Sequence, residues 1–167
     1  HQLEPGCQLR LTMDRMTIQR YWQIPDVPDK LNLDKPSAVE RLDDLLCRSV
    51  ESHLMGDVAI GCQLSGGIDS SLVTSRASCR VHPRLQAFSV IPHQPTYSEE
   101  QWISQVVQTL SIDNHKLLLD ESYVLDHLDP ATWHLDQPLG MPSTIGIYLL
   151  AERARDLKKR PVYIMGM

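Results

Sequence analysis

The sequence predicts an α/β protein: a parallel sheet with flanking helices, preceded by a short β-hairpin. Three observations point there. From Ser37 onward, apolar runs of strand length alternate with longer segments whose apolar residues recur at helical spacing. Proline and glycine clusters mark the joins. The turn Leu64-Ser65-Gly66-Gly67-Ile68-Asp69-Ser70-Ser71 lies between a strand and a helix. Such alternation builds parallel sheets, and their ligand sites lie at the carboxyl ends of the strands.

In chain order, Pro5-Gly6 reads as a turn, and Cys7–Leu11 and Thr17–Trp22 read as the two strands of a hairpin. Tyr21-Trp22 reads as a pair of large aromatics closing that small sheet, and Pro25, Pro28 and Pro36 mark a linker. Ser37 reads as the N-cap of a helix carrying Val39, Leu42, Leu45, Leu46, Val50 and Leu54, which Gly56-Asp57 ends. Val58–Gln63 is expected as a buried strand, with a helix starting at Leu72–Ala77 after the glycine turn. Leu85–Ile91, ending at Pro92, reads as the second strand, Glu99–Leu110 as a helix and Asn114–Leu119 as the third strand. Apolar positions in Tyr123–Trp133 suggest one further helix, and residues 137–142 a loop. Ser143 then caps a helix through Ile147, Leu150, Ala151 and Ala154, whose basic end (Arg153, Arg155, Lys158, Lys159, Arg160) suits the helix dipole. Val162–Met165 is the last strand.

A chain of 167 residues can bury one core of ordinary size. Its net charge of −5 argues against a nucleic-acid surface. No apolar run is long enough to span a bilayer, and nothing at the start reads as a signal peptide, so no membrane partner is expected. Cys7, Cys47, Cys62 and Cys79 form no CxxC pair, which points to a reduced cytosolic protein without zinc.

The glycine turn carries the chemistry. Glycines let backbone approach a phosphate, and unpaired N–H groups at a helix start point at the anion. Ser65, Ser70 and Ser71 add hydroxyls. Asp69 would repel phosphates unless a cation sits between, so this acid implies Mg²⁺. The turn is not a GxxxxGK[ST] loop, because no lysine follows Gly67. The plain alternative is a glycine-rich connection with no ligand.

The turn resembles the SGGxDS loop of the ATP pyrophosphatase superfamily, which holds pyrophosphate and cleaves ATP between its α and β phosphates. More of the chain then matches in order. Leu3-x-Pro5-Gly6 precedes Tyr21-Trp22, and Asp57-Val58 runs into the loop. Phe88-Ser89-Val90, Asp136-Gln137-Pro138, Pro142-Ser143 and Tyr148-Leu149-Leu150 follow. This order is similar to the synthetase half of the glutamine-dependent asparagine synthetase family, over almost the whole chain. The resemblance implies an adenine nucleotide alpha hydrolase-like, Rossmann-like domain over residues 31–167, incomplete at its C-terminal end. It makes residues 1–30 the tail of an upstream glutaminase-type domain and its linker.

It also implies the chemistry. The aspartate carboxylate attacks the α-phosphate of MgATP, giving β-aspartyl-adenylate and pyrophosphate, and ammonia from a glutaminase domain displaces AMP. Ser65, Gly66, Gly67, Asp69, Ser70 and Ser71 would hold pyrophosphate, with Asp69 as the catalytic acid meeting Mg²⁺. Leu64 and Val90 would meet the adenosine portion, and Met165-Gly166 fall where the family has a Ser-Gly pair near the α-phosphate. The family often pairs its subunits, which makes a homodimer or partner chain an expectation.

Three departures stand out. The family's glutaminase nucleophile is an N-terminal Cys, whereas this chain starts at His1. The family's acidic loop after the last strand is absent, and Met165 replaces Ser. Gln137 stands where many members have Glu. The first two are read as a fragment or one part of a split protein; the third leaves the acyl substrate open. Rival readings are a relative acting on another carboxylate (β-lactam, macrolactam or cell-envelope amidation), a GMP-synthetase or tRNA-thiolation type of enzyme, and a non-catalytic nucleotide-binding piece. His127 and His134, seven apart on one helix face, read as packed or solvated rather than metal ligands. Glu99-Glu100 reads either as first-turn acids or as an approach to the site, and Asp136 as a weak contact candidate.

Overall fold

The computed structural model describes residues 2–26, 32–94, 96, 98–136, 138–140, 142–158 and 162–165. It divides into two compact units, residues 1–38 and 39–167. In the first, β1 (Cys7–Leu11) pairs antiparallel with β2 (Met16–Arg20), placing Leu9 opposite Ile18 and Leu11 opposite Met16. The second strand thus starts at Met16 and stops at Arg20, earlier than the expected Trp22. Tyr21 and Trp22 instead give both N–H groups to the Gly6 carbonyl, at 2.9 and 3.2 Å, and their side chains stand exposed. They cap the hairpin through backbone and do not close a core.

Helix α1 (Lys35–His53) leads into β3 (Ala59–Gln63). Its cap is Asp34, whose carboxylate accepts the Ser37 N–H at 3.0 Å; Ser37 is therefore the third helical residue and not the cap. Proline at the second position is tolerated because first-turn N–H groups need no intrahelical acceptor. After β3 come α2 (Ile68–Ser78), β4 (Gln86–Pro92), α3 (Glu100–Leu110) and β5 (Asp113–Leu119). The region expected as one helix over Tyr123–Trp133 is two, α4 (Glu121–Asp126) and α5 (Leu128–Leu135), broken at His127. Helix α6 (Pro142–Lys158) begins before Ser143, which is therefore not its cap, and β6 (Val162–Met165) follows it.

The four strands run parallel in the order β5-β4-β3-β6. Two apolar clusters lie on opposite sides. Cys62, Leu64, Ala87, Ile91 and Ile103 pack with residues of α1, α2 and α3. Phe88, Leu117, Ile145, Leu149 and Leu150 pack with residues of α4, α5 and α6. Gly61 lets this happen in the middle: a Cβ there would lie 2.6 Å from the Phe88 ring. Successive connections lead from β3 outward to β5, then return across the other face to β6. The strand order therefore reverses between β3 and β6, and the crevice of a doubly wound sheet opens at such a reversal.

Candidate functional site

The loop at the end of β3 lies beside this reversal, since Cys62 is in register with Met165 of β6. Helix α2 begins at Ile68, four residues before the expected Leu72, so Asp69, Ser70 and Ser71 belong to its first turn. Gly67 occupies the N-cap in extended conformation (φ −68°, ψ 163°) and supplies no side-chain acceptor. Among the described residues, the N–H groups of Gly66, Ile68, Asp69 and Ser70 meet no protein acceptor. Four converging donors at the positive end of a helix form an anion cradle.

The hydroxyls tighten the loop. Ser70 Oγ accepts the Ser65 N–H at 3.2 Å and lies 2.9 Å from Ser65 Oγ, which receives the Gly67 N–H at 3.4 Å. Ser71 donates to the Gly67 carbonyl at 2.7 Å, alongside its own N–H at 3.1 Å, and so bonds back along the helix. Gly66 has φ +92°, and a Cβ there would lie 3.1 Å from the Glu99 carbonyl and 3.2 Å from Ile103. Only glycine fits where the loop crosses the start of α3. Upstream, Leu64 is fully buried, donates its N–H to the Phe88 carbonyl at 2.9 Å and accepts the Ser89 hydroxyl at 2.6 Å. Its side chain is an anchor in the core.

The sequence is similar to known proteins over most of the chain. The family model for asparagine synthase matches residues 41–163. The chain belongs to the asparagine synthase family. A relative, asparagine synthetase [glutamine-hydrolyzing] 1 of Bacillus subtilis (strain 168), is 33% identical over 154 residues, 92% of this chain and 24% of its own. Amidase chyE of Penicillium rubens is 28% identical over 170 residues, 91% of this chain and 25% of its own. The chain thus spans about a quarter of the length of these curated relatives. A solved structure, the NH3-dependent NAD synthetase of Campylobacter jejuni, has a TM-score of 0.45 and 17% identity, covering 78% of this chain and 56% of that one.

The other expected residues of the asparagine synthase site fall into three groups. Val90 lies on β4, half-buried, two residues beyond Phe88 and against Gly146 of α6. Met165 ends β6 beside β3, whereas Gly166 and Gln137 lie outside the described residues. Asp69 is exposed. Among the described residues no three His, Cys, Asp or Glu side chains gather around a point. One exposed carboxylate beside open helix N–H groups fits Mg²⁺, which keeps its waters and takes one or two carboxylates plus phosphate oxygens where those are bound.

Most of the other candidate side chains have local partners. Glu100 pairs with Lys116 at 2.6 Å, while Glu99 brings its backbone carbonyl and Cβ close to Gly66. His115 stacks on Phe88 and bonds Gln86 at 2.7 Å. His127 bonds the Tyr123 carbonyl at 2.8 Å, and His134 packs against Trp133 and Tyr148. Asp136 ends α5 in left-handed conformation, φ 53°, which gives it a turn-forming place. Burial pushes the Cys62 thiol up to about 11, which keeps it protonated and inert. Among the described residues no helix is long and apolar enough to cross a membrane.

Sequence reasoning missed Ser89, fully buried, and Asn114, whose Oδ1 lies 3.2 Å from its hydroxyl. The signal was there: one polar residue inside the apolar run Ala87-Phe88-Ser89-Val90-Ile91 needs a partner, because unpaired burial is costly. A separate cleft of about 620 Å³ opens at the tips of β4 and β5, between Pro92, Leu119, Val124 and Leu125. It shares no lining residue with the loop.

Proposed function

We propose that the chain carries the ATP-binding part of an amide-forming synthetase, with aspartate converted to asparagine as the leading reaction. The observation that carries this reading is the uncapped start of α2, with four open N–H groups and Asp69, in a member of the asparagine synthase family. The balance is simple: carboxylate, ATP and ammonia give amide, AMP and pyrophosphate. A carboxylate oxygen bonds to the α-phosphorus as the bond to the pyrophosphate oxygen breaks. Ammonia then bonds to the acyl carbon, loses a proton, and AMP leaves.

In this scheme the work of the loop is electrostatic. Gly66, Ile68, Asp69 and Ser70 turn their N–H groups to the pyrophosphate, whose negative charge grows as it leaves. Ser65 and Ser70 can exchange their mutual hydrogen bonds for phosphate oxygens. Val90 stands on the neighbouring strand, where the adenosine portion would lie. Mg²⁺, held through Asp69, would neutralise phosphate charge. Fixed donors that need no reorganisation favour the transition state over bulk water.

The test is carboxylate-dependent exchange of labelled pyrophosphate into ATP, measured on the full natural chain containing these residues. Aspartate should stimulate it, and Asp69→Asn should lower it by about 100-fold, the scale for losing one preorganised electrostatic contact. Exchange indifferent to aspartate removes the asparagine reading. Exchange stimulated by a different acid would support a second one, amidation of another carboxylate, which the likeness to amidase chyE favours. A chain that binds no MgATP overturns both.

A further inference from the structure

We infer that Ser89 is a positioning residue for the phosphate loop: its buried hydroxyl, bonded to the Leu64 carbonyl, decides where the chain leaves the sheet. This rests on the reading of the Ser65–Ser71 loop as the site of the ATP phosphates, and adds to it what fixes the loop's direction.

The register makes the case. Gly61, Cys62 and Gln63 pair with Gln86, Ala87 and Phe88, so Leu64 stands level with Ser89. The Leu64 N–H makes the next rung, to the Phe88 carbonyl at 2.9 Å. In a parallel ladder the Leu64 carbonyl would then accept the N–H of Val90. It accepts the Ser89 hydroxyl instead, at 2.6 Å. The substitution satisfies a buried carbonyl without drawing the chain one rung further along β4. Ser65, the next residue, is exposed and begins the cradle.

Leu64 is thereby held at three points: a side chain in the core, an N–H on Phe88 and a carbonyl on Ser89. Ser89 in turn faces Asn114 on β5. The hydroxyl has one proton for two oxygens, and the shorter bond takes it. An Asn114 amide turned to present Nδ2, which is buried without a partner as it stands, completes a chain from Asn114 through Ser89 to Leu64. The carbonyl that precedes the cradle is thus tied to β4 and, through Asn114, to β5.

The experiment measures MgATP binding by calorimetry on the full natural chain, with thermal melting and amide exchange recorded on each variant. Ser89→Ala should raise the Kd about tenfold, equivalent to about 1.4 kcal/mol for one hydrogen bond. It should also slow exchange of the Val90 amide, because the Leu64 carbonyl becomes available to it. Ser89→Cys, close in size but a weak donor, should lose affinity similarly, and Ser89→Thr, which keeps the hydroxyl, should restore it. Wild-type affinity in a cooperatively melting Ser89→Ala overturns the inference. Should Ser89→Ala fail to fold, wild-type affinity in Ser89→Cys does the same. Absence of MgATP binding in the unsubstituted chain is a different failure, that of the phosphate reading itself.

Discussion

Helices α2 and α4 both follow strands of the same sheet, and their starts are finished differently. Helix α2 follows β3 through Gly67, which has no side chain to offer its N–H groups. Helix α4 follows β5 through Asp120, whose carboxylate accepts the Tyr123 N–H at 2.7 Å and the Ser122 hydroxyl at 2.8 Å. Both ends carry the same backbone dipole. At α4 a resident carboxylate already occupies the place an anion would take, and the adjoining cleft is walled by Pro92, Leu119, Val124 and Leu125. At α2 the donors stay open, and the acid of its first turn, Asp69, lies inside the helix where a cation can bridge it. A helix start can take an anion only where its cap leaves N–H groups unsatisfied.

The contrast depends most on Gly66. Its φ is +92°, a strained conformation for any other residue, and a Cβ added there would lie 3.1 Å from the Glu99 carbonyl, pressing on the start of α3. Gly66→Ala should cost about 2–4 kcal/mol, combining backbone strain with displacement of the α3 start. Denaturant unfolding measures the cost, and MgATP affinity should disappear with it. A Gly66→Ala protein of wild-type stability would mean the loop does not need this crossing.

Gly67→Asp converts the open end into the closed kind. Gly67 has a φ that any residue adopts, and an added Cβ meets only Ser65 Oγ at 3.5 Å. The new carboxylate can cap α2, offset by the nearby Asp69, so stability should stay within about 0.5 kcal/mol of the starting protein. Binding of MgATP should nonetheless fall by about tenfold or more, since a fixed negative charge fills the cradle. Retained affinity would show that phosphates do not use these N–H groups.

Much of this was legible in the sequence because periodicity and turn chemistry act locally. The six strands, the strand–loop–helix motif and the parallel alternation all follow from apolar spacing and from Gly66-Gly67. The misreadings share a cause: a cap depends on which short polar side chain reaches back to the helix N–H groups. Asp34 takes that place ahead of Ser37, and Asp120 starts a short α4 that ends at His127. Apolar spacing runs on across that break and so hides it. The exposed Val39, Leu42 and Leu45 of α1 are the same effect, since spacing marks a stripe without saying what covers it. Ser89 was hidden because its partner is 25 residues away, and only register brings Leu64 opposite it.

The smallest expected effect isolates the capped end. The Tyr123 N–H, and then the Ser122 hydroxyl, hold the Asp120 carboxyl below its ordinary value of 3.8. A carboxyl lowered in the folded state stabilises it above the ordinary value, and that contribution is lost as pH falls from there through the lowered one. Protection of the Tyr123 amide, its exchange taken relative to an unstructured peptide at each pH, should therefore fall as the solution is acidified below about pH 4, the carboxylate range. At the start of α2, where no side chain caps the helix, the Ser70 amide compared in the same way should show no such change over that range. Asp120→Ala should abolish the acid response at Tyr123 and lower the melting temperature by about 3 °C, the usual scale for a lost cap. MgATP affinity should stay unchanged in that variant, because the two helix starts share a sheet edge and no binding group. Coupled losses at both ends would show instead that α4 supports the phosphate loop.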